Sequence, residues 1–319
     1  MNQNINNAAS SVDLSFIMPV KNVEYFIDET VQSIRFQSFK NWELIVVDDG
    51  SVDTTPDILN ALASGDPRIR VLRNPGRGQV QAINYGATFI RGKYVKIVDG
   101  DDLLPASFSD CLDRLTSEEA TYHDAYLMMA DKGAMSLFRV GARFQEMELA
   151  DSLQHIMVSP PRWSWTISRR TADGVFPLPA DLPSPHEDVY LGLKIKKCAR
   201  VAYVPVPLYL YRQHAAQFYG GLFSFSPKVV TWRARAMLGV IDLVKNGDFF
   251  SADVAADLLA PAIGYYRLLA AEPLAVRDIL GAKLNLRDKL RVLVIRKTPA
   301  LAAMISRRRA LRRIRIRKL

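Results

Sequence analysis

Residues 14–20 are apolar at almost every position, which predicts a short strand buried on both faces. The next segment, 24–36, places Phe26, Ile27, Val31 and Ile34 at helical spacing. A β-branched run over 42–47 follows and stops abruptly at Asp48-Asp49-Gly50-Ser51. The pattern then predicts a helix at about 55–64, a strand at 69–72, a helix at 79–90 and a strand at 94–98, the last ending at Asp99-Gly100-Asp101-Asp102. Strands that alternate with helices imply βαβ units and a mainly parallel sheet, so the expected class is α/β. Ligands of such sheets bind outside the carboxyl ends of the strands. Both acidic clusters fall there.

Beyond residue 103 the pattern is mixed. A helix is expected near 106–117, a Pro-rich loop over 176–185, a helix from Glu187, and two short strands at 201–206 and 208–211. After Gly220-Gly221 the spacing turns helical to the end of the chain. The expected organisation is a loose leader at 1–12, an α/β domain at 13–220 and a helical region at 221–319.

Composition supports a packed core, with 49% apolar residues in 319. The leader is uncharged and lacks the basic start and apolar run of a secretory signal. Cys111 and Cys198 match no metal spacing, lie in apolar-rich helical patterns and are expected to be buried thiols, which fits a reducing cytosol. No stretch reaches the ~18 uninterrupted apolar residues of a membrane span. The net charge of +9 belongs to the end of the chain: residues 289–319 hold twelve Lys or Arg and no Asp or Glu, and the rest balances to −3.

Three clusters carry candidate chemistry. Asp99-Gly100-Asp101-Asp102 gathers carboxylates that suit a hard divalent cation such as Mg²⁺ or Mn²⁺, which bridges readily to phosphates; as a bare pattern it is also a capped acidic turn. Asp48-Asp49-Gly50-Ser51-Val52-Asp53 admits the same two readings, with Gly50 allowing a tight turn. His186-Glu187-Asp188 reads either as a helix start favoured by the dipole or as the seat of a general base.

Taken together, the ensemble resembles the family 2 glycosyltransferases. The matching residues run from about 14 to 214: Phe16-Ile17-Met18-Pro19-Val20-Lys21-Asn22, the stretch 37–53, Ala82-Ile83-Asn84-Tyr85-Gly86, Gly92-Lys93-Tyr94-Val95, Asp99-Gly100-Asp101-Asp102, Glu187-Asp188 and Tyr211-Arg212-Gln213-His214. The resemblance implies a GT-A fold and an inverting, metal-dependent transfer from a nucleotide sugar to a glycan or lipid-linked acceptor. It implies that Pro19, Val20 and Asn22 border the nucleotide, that Asp49 reads the base with Asp48 beside it, and that Asp99 and Gly100 lie near the ribose and sugar. Asp101, with Asp99 and the late His214, is implied for the metal, Mn²⁺ or Mg²⁺, with Asp102 supporting them. Asp188 is implied as catalytic base with Glu187 as its neighbour. Lys21 stands where many relatives carry an aromatic residue that stacks on the base, so the nucleobase stays open.

Trp163 and Trp165 read either as acceptor-stacking rings or as two core rings on one face of a strand. The segment 307–318, rich in Arg and carrying an apolar stripe, suits an anionic membrane surface; the acidic body and the lack of any nucleic-acid motif argue against nucleic acid. These readings imply a cytoplasmic protein held at the inner face of the cell membrane. Two rival functions remain: a sugar-nucleotide binder without turnover, and a nucleotidyltransferase. The latter is disfavoured because its Gly-rich phosphate loop is replaced by Pro19-Val20-Lys21-Asn22.

Overall fold

The computed structural model describes residues 12–129, 134–154, 159–184, 186–214, 226–302 and 304–305. The leader, the expected boundary at 220 and the basic segment 307–318 lie outside the described residues. In chain order the elements are β1 (Leu14–Val20), α1 (Ile27–Arg35), β2 (Trp42–Asp48), α2 (Thr55–Ser64), β3 (Ile69–Arg73), α3 (Gln79–Ala87), β4 (Tyr94–Ile97), α4 (Ser107–Asp110), α5 (Leu112–Leu115), β5 (Ala120–Met129), β6 (Ala134–Phe138), α6 (Arg143–Glu146) and α7 (Leu149–Gln154). A 3₁₀ turn at Arg162–Ser164 leads to β7 (Trp165–Ser168), α8 (Arg169–Val175), α9 (Glu187–Cys198), β8 (Val201–Gln213), α10 (Pro227–Asn246), α11 (Ala252–Ala270), α12 (Val276–Gly281) and α13 (Leu286–Lys297).

Two compact units share the chain. The first runs to residue 121 and includes 165–177; the second comprises 122–164 and the chain from 178. In the first, the strand order is β3-β2-β1-β4-β7, with the start of β5 next to β7. The first four strands are parallel, and β7 joins β4 antiparallel through Tyr94↔Ser168 and Val95↔Ile167. All seven residues of β1 are buried, the signature of a central strand covered on both faces. Helix α3 lies against β1 and β2 so closely that a Cβ on Gly86 would sit 2.9 Å from Ile17 Cγ2 and 3.1 Å from Val47 Cγ2. In the second unit β5 pairs with β6 antiparallel and with β8. Helices α10, α11, α12 and α13 share a core of Val230, Ala234, Tyr265, Leu269, Leu274, Ile279 and Val292.

Several expectations need correction. The helix expected at 106–117 is two short ones broken at Cys111, whose φ of −104° leaves the helical range. Gln37 Oε1 takes both the N–H and the hydroxyl of Ser109, drawing that turn out of line. The two short strands expected at 201–211 are one, β8, which runs through Pro205 and Pro207; each proline removes one ladder donor without ending the strand. Trp163 and Trp165 do not share a strand, because the 3₁₀ turn ends at Ser164. Cys198, the last residue of α9, is exposed and Cys111 is half-buried, so neither is the core thiol expected. No helix among the described residues is long and apolar enough to cross a membrane.

Replacing Gly86 by Val forces two branched core side chains aside. The expected loss is about 1–3 kcal/mol, read as a lowered urea midpoint at unchanged m-value.

Candidate functional site

The parallel register brings the carboxyl ends of three strands to one edge of the first unit. Val20 is opposite Asp48, and Ile17 is opposite Ile97. The backbone continues this pairing past the strands, Asp49 N–H donating to Val20 O at 2.9 Å and Val98 N–H to Ile17 O at 3.0 Å. Pro19, Val20, Asn22, Asp48, Asp49, Asp99, Gly100 and Asp101 therefore share that edge.

The loops after β1 and β2 are laced together. Asn22, in the left-handed region at φ 52°, donates its N–H to Ser51 Oγ at 2.9 Å and accepts Val52 N–H at 2.9 Å through Oδ1. Asp48 accepts the N–H and hydroxyl of Ser51. Asp49 reaches the loop after β3: its Oδ1 accepts from Asn74 Nδ2 at 2.6 Å and Gly78 N–H at 2.8 Å. Lys21 Nζ lies 3.5 Å from Asp49 Oδ2 and is largely exposed. Asp53 accepts from the N–H groups of Thr55 and Glu24, which ties the start of α2 to the loop before α1.

The Asp99-Gly100-Asp101-Asp102 turn is clamped from two sides. Gly100 sits against β1, where a Cβ would come within 2.7 Å of Val20 Cγ1. Its carbonyl accepts the buried Thr30 hydroxyl of α1 at 3.0 Å. One turn on, Ser33 Oγ accepts Leu104 N–H at 3.1 Å, and Gln37 Nε2 donates to the carbonyls of Leu104 and Pro105. Thr30 and Ser33 project from one stripe of α1, being three residues apart, and Gln37 follows just past the end of the helix. Asp102 is fully buried, while Asp99 and Asp101 are half-buried. Hard carboxylate donors at the mouth of a parallel sheet fit a divalent cation. Among the described residues no group of three or more His, Cys, Asp or Glu is gathered for a metal. Asp99 and Asp101 thus fit an ion that draws its other ligands from water and phosphate, as Mg²⁺ habitually does.

Behind this turn lies Lys96, a residue not anticipated from sequence. It sits on β4, is 1% exposed, and donates from Nζ to Trp165 O at 3.4 Å, with the Phe108 ring 5.6 Å away. Burial pushes its pKa down to about 7, against the opposing pull of the Asp99 charge.

In the second unit, α9 begins at the acidic pair. Glu187 is buried and bound by Arg162 from Nη1 to Oε1 at 2.8 Å, both side chains nearly inaccessible. Its Oε2 is buried with no hydrogen-bond partner. Asp188 is half-buried in the first helical turn, and its backbone carbonyl accepts Ser159 Oγ at 3.0 Å. His186, just before them, is held down to about pH 4 by burial and by the nearby Arg233 charge, and is neutral at physiological pH. Trp163 is buried and stacks on Tyr209 at 4.8 Å and 6°; Trp165, in the first unit, is buried as well. His214 follows the end of β8 and is half-buried.

A model described as Glycosyl transferase family 2 matches residues 15–127. The putative glycosyltransferase EpsH of Bacillus subtilis is 28% identical over 210 residues, covering 63% of this chain and 61% of that protein. Among solved structures, S. aureus TarS 1–349 in complex with UDP-GlcNAc aligns at a TM-score of 0.61 and 17% identity, over 89% of this chain and 87% of the other. The mannosyltransferase PcManGT of Pyrobaculum calidifontis, in complex with GDP-Man and Mn²⁺, aligns at 0.57 and 18%, over 91% and 80%. At such identities the structures speak for the fold alone. The chain spans less than two thirds of EpsH. Residues 15–127 thus match glycosyl transferase family 2, and the fold is GT-A.

Lys96 yields a prediction with a defined sign. Its folded pKa lies below the unfolded value near 10.4, so between about pH 7 and 10 the unfolded chain binds more protons and stability rises with pH. Lys96→Met is expected to be more stable than the wild type at pH 7 by roughly 1–4 kcal/mol. Urea denaturation at neutral and alkaline pH should show that gap closing as the pH approaches 10.

Proposed function

We propose that this chain is an inverting glycosyltransferase that moves a sugar from a nucleoside diphosphate sugar to a hydroxyl of a glycan or lipid-linked acceptor in surface polysaccharide synthesis. The observation that carries the reading is the doubly clamped Asp99–Asp102 turn, held beside the laced Asn22 and Asp48–Ser51 loops at one sheet edge. A fixed edge of this kind holds a charged donor without reorganising. Pro19, Val20 and Asn22 border the nucleotide, Asp49 faces the base, and Asp99 and Gly100 face the ribose and sugar. Asp101 and Asp99 would hold Mn²⁺ or Mg²⁺, with water and phosphate supplying the other ligands. When bound, the ion offsets charge on the departing diphosphate.

Asp188 takes the proton of the acceptor hydroxyl. Its neighbour Glu187 is bound by Arg162. Glu187 instead braces the first turn of α9 and so fixes where Asp188 points. The acceptor oxygen forms its bond to the anomeric carbon as the bond to the diphosphate oxygen breaks on the opposite face. One displacement of this kind inverts the centre without a carboxylate nucleophile. Membrane-surface residence on the cytoplasmic side completes the reading, since lipid-linked acceptors lie there.

The reading is tested by a donor screen. Purified protein with Mn²⁺ is incubated with UDP-, GDP- and dTDP-sugars, and free nucleoside diphosphate is followed without acceptor. Release from one donor, reduced about 100-fold or more in Asp101→Ala, is the expected result. No release from any donor, together with no nucleotide binding by calorimetry, would leave a non-enzymatic role.

A further inference from the structure

Helices α12 and α13 carry more apolar residues than their core uses. On α12, Ile279 is 2% exposed and joins the helical core, while Val276 and Leu280 face outward at 46% and 66%. On α13, only Val292 is fully buried, and Leu286 and Leu290, one turn apart, are 73% and 52% exposed. Lys289 Nζ donates to Leu280 O at 2.6 Å, which ties the two helices together between these leucines. Single exposed leucines are ordinary on a soluble protein; four apolar side chains exposed within 276–290 are a patch.

The charges around the patch have one dominant sign. Arg277, Lys283 and Arg287 are exposed, and from Lys289 onward the chain has no acidic residue. The two acids of the stretch are engaged locally: Asp278 accepts Ala275 N–H at 2.9 Å and lies 3.9 Å from Arg277, and Asp288 accepts Asn285 Nδ2 at 2.8 Å and lies 3.7 Å from Arg291. Exposed apolar side chains interspersed along the same two helices with exposed cations suit an anionic lipid surface, where leucines enter the acyl boundary and Lys and Arg keep their charges among the headgroups. A second copy of the chain is a poor match, because a two-fold interface would set the same cations against each other.

We propose that Val276, Leu280, Leu286 and Leu290 form a docking face for an anionic bilayer. The basic segment that follows adds charge, but the leucines supply the insertion. This inference rests on the membrane-surface part of the proposed function and requires no catalytic activity.

The test uses the full chain and sedimentation with vesicles, either phosphatidylcholine alone or phosphatidylcholine with 30 mol% phosphatidylglycerol. Wild type is expected to bind the anionic vesicles and to bind neutral ones far more weakly. The Leu280→Ser, Leu286→Ser, Leu290→Ser triple variant is expected to lose about tenfold or more of that affinity, with an unchanged thermal midpoint. Undiminished binding by the triple variant would assign the interaction to the basic segment alone and overturn the proposal. So would equal binding to neutral vesicles, no binding by wild type, or a wild-type dimer in sedimentation velocity that the triple variant abolishes.

Discussion

Gly100 is seated on Val20 with no room for a side chain, and the architecture of the first unit is arranged around that contact. The parallel register makes it possible, because β1 and β2 end level at Val20 and Asp48 while β4 ends opposite Ile17, three residues short, which leaves its acidic turn beside Val20. Apolar strands cannot accommodate unpaired carboxylates in their interior, so polar residues collect where the strands end. What turns a collection of acids into a defined site is the second clamp, the hydroxyl of Thr30 on the Gly100 carbonyl. Buried and satisfied, that bond makes the turn a fixed extension of α1 rather than a solvated loop.

The opposite edge of the same sheet uses similar means. Glu43, on β2, accepts the Ser15 hydroxyl at 2.6 Å and both the N–H and Nε–H of Arg91 at 2.7 Å. Gly92 donates to Ser15 Oγ, and its own Cβ position would meet Ser15 N at 2.6 Å. The segment leading into β4 is therefore pinned at its start, as the acidic turn is pinned at its end. Lys96 lies between the two, the one charge on an otherwise apolar strand interior. Its cost in stability is borne beside the residues proposed to bind the donor, a frequent location for such strain.

Much of this was legible in the sequence, for identifiable reasons. Runs of β-branched residues ending at Asp48 and Asp99 gave the strands and their polar ends, since periodicity and turn chemistry are local. The clamps were not legible. Thr30 is a polar residue on the buried stripe Ile27, Thr30, Val31, Ile34, a sign that it had an inward partner, but only the fold identifies Gly100 as that partner. Lys96 in the middle of 94–98 gave a similar signal. Arg162 gave none: an arginine before Trp163 acquires meaning only when β8 and α9 bring Glu187 to it. A long-range contact, Gln37 on Ser109, accompanies the break at Cys111, whereas a local 3₁₀ turn separates Trp163 from Trp165.

The central claim is that the clamped geometry of the acidic turn, rather than its acidity alone, makes the donor site. The most direct measurement is calorimetric titration of UDP, GDP and dTDP, with and without Mn²⁺, into wild type and Gly100→Ala. The added methyl moves the turn off Val20 while leaving every carboxylate in the chain. The account predicts metal-dependent binding of one nucleotide to wild type, weakened about tenfold or more in Gly100→Ala at a temperature where both proteins are fully folded. Equal binding by the two proteins would contradict it.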